Sequence, residues 1–251
     1  MAVSIATLRV LEQEAGLDVA RDIAFVAGHS LGEYSALAAA GTFSLADAAR
    51  LLKTRGRAMQ QATPVGTGAM AALLGLDYPD AAAVADAAAQ GEICQAANDN
   101  APGQVVVSGH KAAVERAVAL AKDKGAKRAI MLAVSAPFHC ALMEPAARVM
   151  AEALSNAPMR PPIVPVFANV LAAPLSDPAE IRKALVAQVT GTVRWRESMA
   201  GMAAQGIKVF CELGTGKVLS GLVKRTAPEA QGISLGTPED IAENAARLKQ
   251  G

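Results

Sequence analysis

Aromatic residues are scarce in this 251-residue chain, at 3%, although hydrophobic residues make up 52%. The apolar mass is therefore alanine, valine and leucine, which suits helices packed on a parallel sheet and argues against a β-sandwich. Charge of one sign is also lacking, because 24 basic residues face 23 acidic ones for a net charge of +1. Neither sign gathers into a long run, which excludes the electrostatic footprint of a nucleic-acid-binding protein. Only three cysteines occur, Cys94, Cys140 and Cys211. An odd number without CxxC spacing argues against a disulfide framework and against a zinc site, and reads as buried thiols in a reducing cytoplasm. No basic start runs into an unbroken apolar stretch, and no segment reaches ~18 consecutive apolar residues, so secretion and membrane insertion are disfavoured. The length suits one domain with an insertion, or two small ones.

What the chain does have is Phe25-Val26-Ala27-Gly28-His29-Ser30-Leu31-Gly32-Glu33-Tyr34, an apolar strand running through Gly-x-Ser-x-Gly into a helical pattern. This is the signature of a nucleophile elbow, a strained strand-to-helix turn that holds the Ser30 hydroxyl away from the sheet. Gly28 and Gly32 are both expected to be needed because a Cβ at either would clash. The backbone N–H of Leu31, at the start of the new helix, would point toward a developing oxyanion.

Residues 2–15 carry a helical apolar pattern, 23–27 read as the strand before the elbow, and 31–40 as the helix after it, with Gly41 at its end. Ser44 is placed to cap a helix over 45–61. After the breaker-rich Thr63-Pro64-Val65-Gly66-Thr67-Gly68 the pattern changes to strand 69–76, helix 79–89, strands 93–97 and 104–108 around an Asn98–Gly103 connection, helix 111–124 and strand 128–134. That β-α-β-β-α-β order predicts a ferredoxin-like, split βαβ unit over residues 65–136. Residues 1–64 and 137–251 then form the large α/β part, a hydrolase-like parallel sheet with helices at 141–156, 178–189 and 196–205, strands at 164–169 and 209–213, and a final helix-rich segment.

A nucleophilic serine needs a base, and the only histidines are His29, His110 and His139. His29 lies inside the elbow, where adjacent side chains diverge, and reads as a packing or hydrogen-bonding residue. His110 opens a helix of the small unit and reads as solvated or capping. His139, in the loop Ser135-Ala136-Pro137-Phe138-His139-Cys140, can be presented to a cleft and is preferred by elimination. No triad acid stands out between Ser30 and His139, so a backbone or amide carbonyl could hold the imidazole instead.

Six blocks in order carry a resemblance. They are Gly28 to Leu37, Arg55-Gly56-Arg57-Ala58-Met59-Gln60, Gly66 to Met70, Asn98-Asp99-Asn100 with Pro102-Gly103-Gln104-Val105-Val106, Ser135 to Met143, and Glu212 to Leu219. Together they resemble the malonyl-CoA:acyl carrier protein transacylase family of type II fatty acid synthesis. The resemblance implies an acyltransferase in which Ser30 takes the malonyl group as an ester and hands it to the phosphopantetheine thiol of acyl carrier protein, with His139 as base and then acid. It also implies that Arg55 binds the malonyl carboxylate through its planar fork, and that the main-chain carbonyl of Gln188 orients the histidine. Met59 and Phe138 are counted with the substrate-binding residues, Phe138 as the bulky residue that accompanies malonyl preference. Asn98, Asn100 and Gln104 are candidates for contacts with CoA.

The partners expected are malonyl-CoA or CoA and acyl carrier protein, with the chain a monomer, no nucleic acid or membrane, and no metal or cofactor. Family members begin with a strand and a Gly-Gln-Gly-Ser-Gln-like loop that supplies the second oxyanion N–H. This sequence starts beyond that loop, so the expectation for the 251 residues alone is half an oxyanion hole and weak turnover. A serine esterase, or a non-catalytic fragment that binds CoA or carrier protein, are the competing expectations.

Overall fold

A computed structural model describes residues 1–248; residues 249–251 of the expected final helical segment lie outside it. The chain opens with α1 (Ala2–Glu14), a short α2 (Val19–Asp22), β1 (Val26–Ala27), α3 (Leu31–Ala39) and α4 (Leu45–Gln61). There follow β2 (Gly68–Leu74), α5 (Tyr78–Ala89), β3 (Cys94–Ala101), β4 (Gln104–His110), α6 (Lys111–Asp123) and β5 (Arg128–Met131). A 3₁₀ turn at Ala141–Met143 leads into α7 (Glu144–Ser155), β6 (Val166–Ala168), β7 (Ala173–Leu175), α8 (Pro178–Ala187) and α9 (Trp195–Ala204). The last elements are β8 (Val209–Leu213), α10 (Val218–Thr226), β9 (Gln231–Leu235) and α11 (Pro238–Leu248).

The class is α/β, as the alanine- and valine-rich composition implies. β1 runs parallel to β6 and β7 returns antiparallel to β6, while β8 and β9 form a separate parallel pair. The middle of the chain forms an antiparallel sheet in the order β3-β4-β2-β5. β2 and β3 flank β4, and β4 and β5 flank β2, so each βαβ crossover is split by a strand of the other, which is the predicted ferredoxin-like pattern. α5 and α6 bury Ala81, Val84, Ala85, Val114 and Ala117 against Leu73, Val105 and Val107 of this sheet, a core of small residues with Tyr78 packed at its edge.

Three local expectations need correction. The Asn98–Gly103 connection is mostly strand: β3 continues to Ala101, leaving Pro102 and Gly103 as the hairpin turn, with register shifts between Ala96 and Asn98 and between Asp99 and Ala101. Those bulges let the strand turn to meet another segment, for Asp99 N donates to Val193 O and Val193 N to Ala97 O, each at 2.9 Å. β7 and β9 were not anticipated, because Ala173-Pro174-Leu175 and Gln231–Leu235 are too short and mixed to show a period. Cys94 and Cys140 are buried, but Cys211 is exposed on β8.

The elements that carry the site meet in a second core. α4 turns Ala48, Leu51, Ala58 and Met59 inward, and α7 does the same with Ala146, Ala147, Met150 and Leu154. α3 adds Tyr34 and Leu37, and α8 adds Ile181 and Leu185. Ser44 caps α4 by accepting Asp47 N at 3.0 Å.

Candidate active site

The elbow is built from one close approach. A Cβ on Gly28 would sit 2.0 Å from the carbonyl carbon of Gly32, so the end of β1 and the first turn of α3 can cross only with glycine there. Gly32 itself has open space at its Cβ position, and the steric requirement expected for it does not exist. Between them Ser30 adopts φ 52° and ψ −107°, a conformation rare for an L-residue. Asn169, directly after β6, holds this turn: its Oδ1 accepts Ser30 N at 2.7 Å and its Nδ2 donates to Gly28 O at 2.8 Å. Leu31 opens α3, so its N–H is one of the first-turn donors without an intrahelical acceptor.

His139 is brought to the serine from the loop before α7, also at positive φ (59°). Its Nε2 lies 2.8 Å from Ser30 Oγ, and its Nδ1 lies 2.8 Å from the main-chain oxygen of Gln188, which ends α8. A carbonyl oxygen only accepts, so Nδ1 carries the proton and Nε2 of the neutral ring accepts from the serine hydroxyl. Burial, together with the nearby Arg55 guanidinium, pushes the His139 pKa down to about 3. The imidazole is therefore neutral at physiological pH, the form a general base needs.

Arg55 sits in the middle of the buried stripe of α4, between Leu51 and Ala58. It is 6% exposed, and one of its terminal nitrogens donates both to Ser30 Oγ at 3.0 Å and to Gln188 Oε1 at 2.9 Å. The guanidinium lies 5.9 Å over the Tyr34 ring, a cation–π placement. Its Nε has no hydrogen-bond partner, and no ion pair among the described residues includes Arg55. Desolvation lowers its pKa. A buried cation without a carboxylate costs several kcal/mol, and the buried Nε hydrogen without an acceptor adds an unmet donor.

The other candidates divide. Met59 is buried one turn beyond Arg55, and Phe138 is half-buried beside His139. Asn100 reaches the elbow, its Oδ1 2.8 Å from His29 Nε2, and His29 is tilted against Trp195 with ring centroids 5.6 Å apart. Asn98 is buried on β3. Gln104 is turned elsewhere, its Oε1 accepting from Arg225 at 2.5 Å. His110 accepts Ile93 N at 2.9 Å through Nδ1, a structural bond within the small sheet. A cavity of about 650 Å³ bordered by Arg9, Thr42, Phe43, Asp47 and Arg160 lies apart from all of these groups.

Comparison with known proteins gives the arrangement its family. The acyl transferase domain model matches residues 1–240. The malonyl CoA-acyl carrier protein transacylase of Escherichia coli K12 is 47% identical over 242 residues, covering 96% of this chain and 77% of that one. The crystal structure of an acyl-carrier-protein S-malonyltransferase from Bartonella henselae superposes with a TM-score of 0.95 at 53% identity, covering 99% of this chain and 79% of that one. The chain belongs to the malonyl-CoA:acyl carrier protein transacylase family. Also similar is the malonyl-transacylase solved in complex with a type II PKS acyl carrier protein, at 41% identity and a TM-score of 0.94, over 98% of this chain and 78% of that one.

Two residues of this transacylase were not singled out from sequence. Asn169 was hidden because nothing local marks an asparagine after a short strand as the clamp of a turn 139 residues earlier. Glu33 stood inside the elbow motif without a role, yet it is buried with Oε2 accepting Gln188 Nε2 at 2.8 Å and Asn169 N at 3.2 Å. Burial pushes its pKa up to about 7, against the pull of those two hydrogen bonds and of Arg55. The buried position of Arg55 was legible in principle, since 48, 51, 55, 58 and 59 share one helical face.

Proposed function

We propose that this chain transfers a malonyl group from malonyl-CoA to the phosphopantetheine thiol of acyl carrier protein through an ester on Ser30. The observation that carries the acyl choice is the buried Arg55 guanidinium, unpaired at Nε and 3.0 Å from the Ser30 hydroxyl. Bound there, the free carboxylate of the malonyl group would neutralise the cation and leave the thioester carbonyl beside the serine.

In the reading we adopt, the Ser30 proton passes to His139 Nε2 as Oγ attacks the thioester carbonyl, and the Gln188 carbonyl steadies the imidazolium that forms. The oxyanion of the tetrahedral intermediate meets the Leu31 N–H at the start of α3. Collapse expels the CoA thiolate, which takes the proton from His139. The carrier-protein thiol then repeats the steps in reverse. Met59 and Phe138 border the acyl group, and Asn98 and Asn100 lie toward CoA; Gln104, tied to Arg225, is the weakest of that set. With this reading go a division into a large part (1–64 and 137–251) and an inserted small part (65–136), a monomeric state and a cytoplasmic setting. Among the described residues no helix is long and apolar enough to cross a membrane.

Mass spectrometry after incubation with malonyl-CoA tests the proposal. The expected result is a malonyl adduct on Ser30 that is absent from Ser30→Ala and transferable to holo carrier protein. Rapid hydrolysis of simple p-nitrophenyl esters with no malonyl adduct would replace it with the esterase reading.

A further inference from the structure

Among the described residues Glu33 is the one buried carboxylate in contact with this network, and its hydrogen bonds reach neither Ser30 Oγ nor Arg55. What it does touch is the side-chain amide of Gln188. That amide is fully buried, and its two ends do different work: Nε2 donates to Glu33 Oε2 (2.8 Å) and to Ser30 O (3.0 Å), while Oε1 accepts from Arg55 (2.9 Å). Turned over, the amide would set its NH₂ against the guanidinium, donor on donor, and its oxygen against the Glu33 carboxylate and the Ser30 carbonyl, acceptor on acceptor. In a site closed to water each such mismatch costs the desolvation of a polar group. Glu33 is itself fixed, because Asn169 N donates to the same Oε2.

We propose that Glu33 is a positioning residue for acyl selection: its carboxyl oxygen locks the Gln188 amide so that Oε1 holds the Arg55 guanidinium beside Ser30. The amide acts as a spacer. A carboxylate in direct contact would occupy the guanidinium edge that the incoming acyl carboxylate needs, whereas an amide oxygen anchors one nitrogen and leaves the rest free. The inference rests on the malonyl-transfer reading and names the residue that sets its anchor.

The test separates reach from charge. Glu33→Gln keeps an oxygen at the same reach without the charge; Glu33→Asp keeps the charge but withdraws it by one methylene. Acylation of Ser30 is followed by quenched-flow mass spectrometry with malonyl-CoA and, separately, acetyl-CoA. Glu33→Gln is expected to keep the malonyl-to-acetyl preference within about threefold, and Glu33→Asp to lower it about tenfold or more, chiefly through KM for malonyl-CoA, the effect of one lost hydrogen bond in a charged network. A merely structural role would lower both acyl donors equally in both variants, and that outcome overturns the proposal. So does the reverse order, with Asp retaining and Gln losing the preference, or no change in either variant. Absence of any malonyl adduct on the unsubstituted chain would instead defeat the functional reading on which this rests.

Discussion

Asn169 closes the turn at Ser30 from the neighbouring strand, taking Ser30 N at 2.7 Å and giving to Gly28 O at 2.8 Å. The positive φ at Ser30 is sustained by these two bonds, since a residue in a sparsely populated conformation persists only where its surroundings over-determine it. Asn169→Ala should destabilise the chain by about 2–4 kcal/mol, the cost of two buried polar groups left unsatisfied, or roughly 5–15 °C in Tm for a chain of this size. Thermal denaturation followed by circular dichroism measures it, and a loss under ~0.5 kcal/mol would show that the turn stands without its clamp.

The two elbow glycines should respond in opposite ways. Gly28→Ala places a methyl 2.0 Å from Gly32 backbone and is expected to abolish folding or Ser30 reactivity. Gly32→Ala meets nothing within 4 Å and lies inside a helix, where alanine is favoured by roughly 0.5–1 kcal/mol. Equal sensitivity at both positions would contradict the geometry.

Arg55 trades stability for binding. Arg55→Met removes a buried cation with an unpartnered Nε, so the free chain should gain Tm. The same variant should lose about 10²–10³ in kcat/KM for malonyl-CoA, corresponding to about 3–4 kcal/mol and so to the lower part of the range for a broken buried pair, while acetyl-CoA is little affected. A variant less stable than the parent would refute the first half, and parallel losses for both acyl donors the second.

The pH dependence of stability follows from two opposed shifts. His139 has a folded-state pKa of about 3 against 6.5 when unfolded, so below pH 6.5 the unfolded state binds more protons and stability falls as pH drops toward 3. Glu33, raised to about 7 from 4.5, binds its proton more readily in the folded state, so its share is largest at low pH and is lost as pH rises through 7. Replacing His139 with glutamine should therefore flatten the acid side of the profile, and Glu33→Gln should remove the decline between pH 4.5 and 7. Urea titrations at half-unit pH steps would show both; an acid limb unchanged in His139→Gln excludes the first.

The ion pair between Asp99 and Arg196 should be asymmetric. Arg196 Nε spans both Asp99 oxygens, at 3.1 and 2.9 Å, with the carboxylate side chain 1% exposed and the arginine 34%. Arg196→Ala strands a buried anion beneath the strand that presents Asn100 to His29, whereas Asp99→Ala leaves an arginine that reaches water. The arginine variant is expected to be the less stable by about 1–2 kcal/mol, checked by denaturant midpoints.

Legibility in the sequence followed the range of the interactions. The helix after Ser44 is readable from its local cap and apolar spacing, the helix from Lys111 from its apolar spacing, and the split βαβ unit because its strands and helices alternate cleanly. The sequence makes β3 too short, since Asn98, Asp99 and Asn100 have poor strand propensity and stay extended through their pairing with β4 and the bond of Asp99 to Val193. Ser30 announces itself through the glycine spacing around it. Gln188 is legible only through the family resemblance, and Asn169 not at all, because its bonds reach residues 139 and 141 positions away, and no period or composition records those.

The Ser30 oxygen is engaged twice, its proton directed to His139 and a lone pair held by Arg55. Two bonds on one small atom leave the hydroxyl little choice of rotamer. The conformational entropy of aiming the nucleophile is thereby lost once, when the chain folds, rather than at each encounter with an acyl donor.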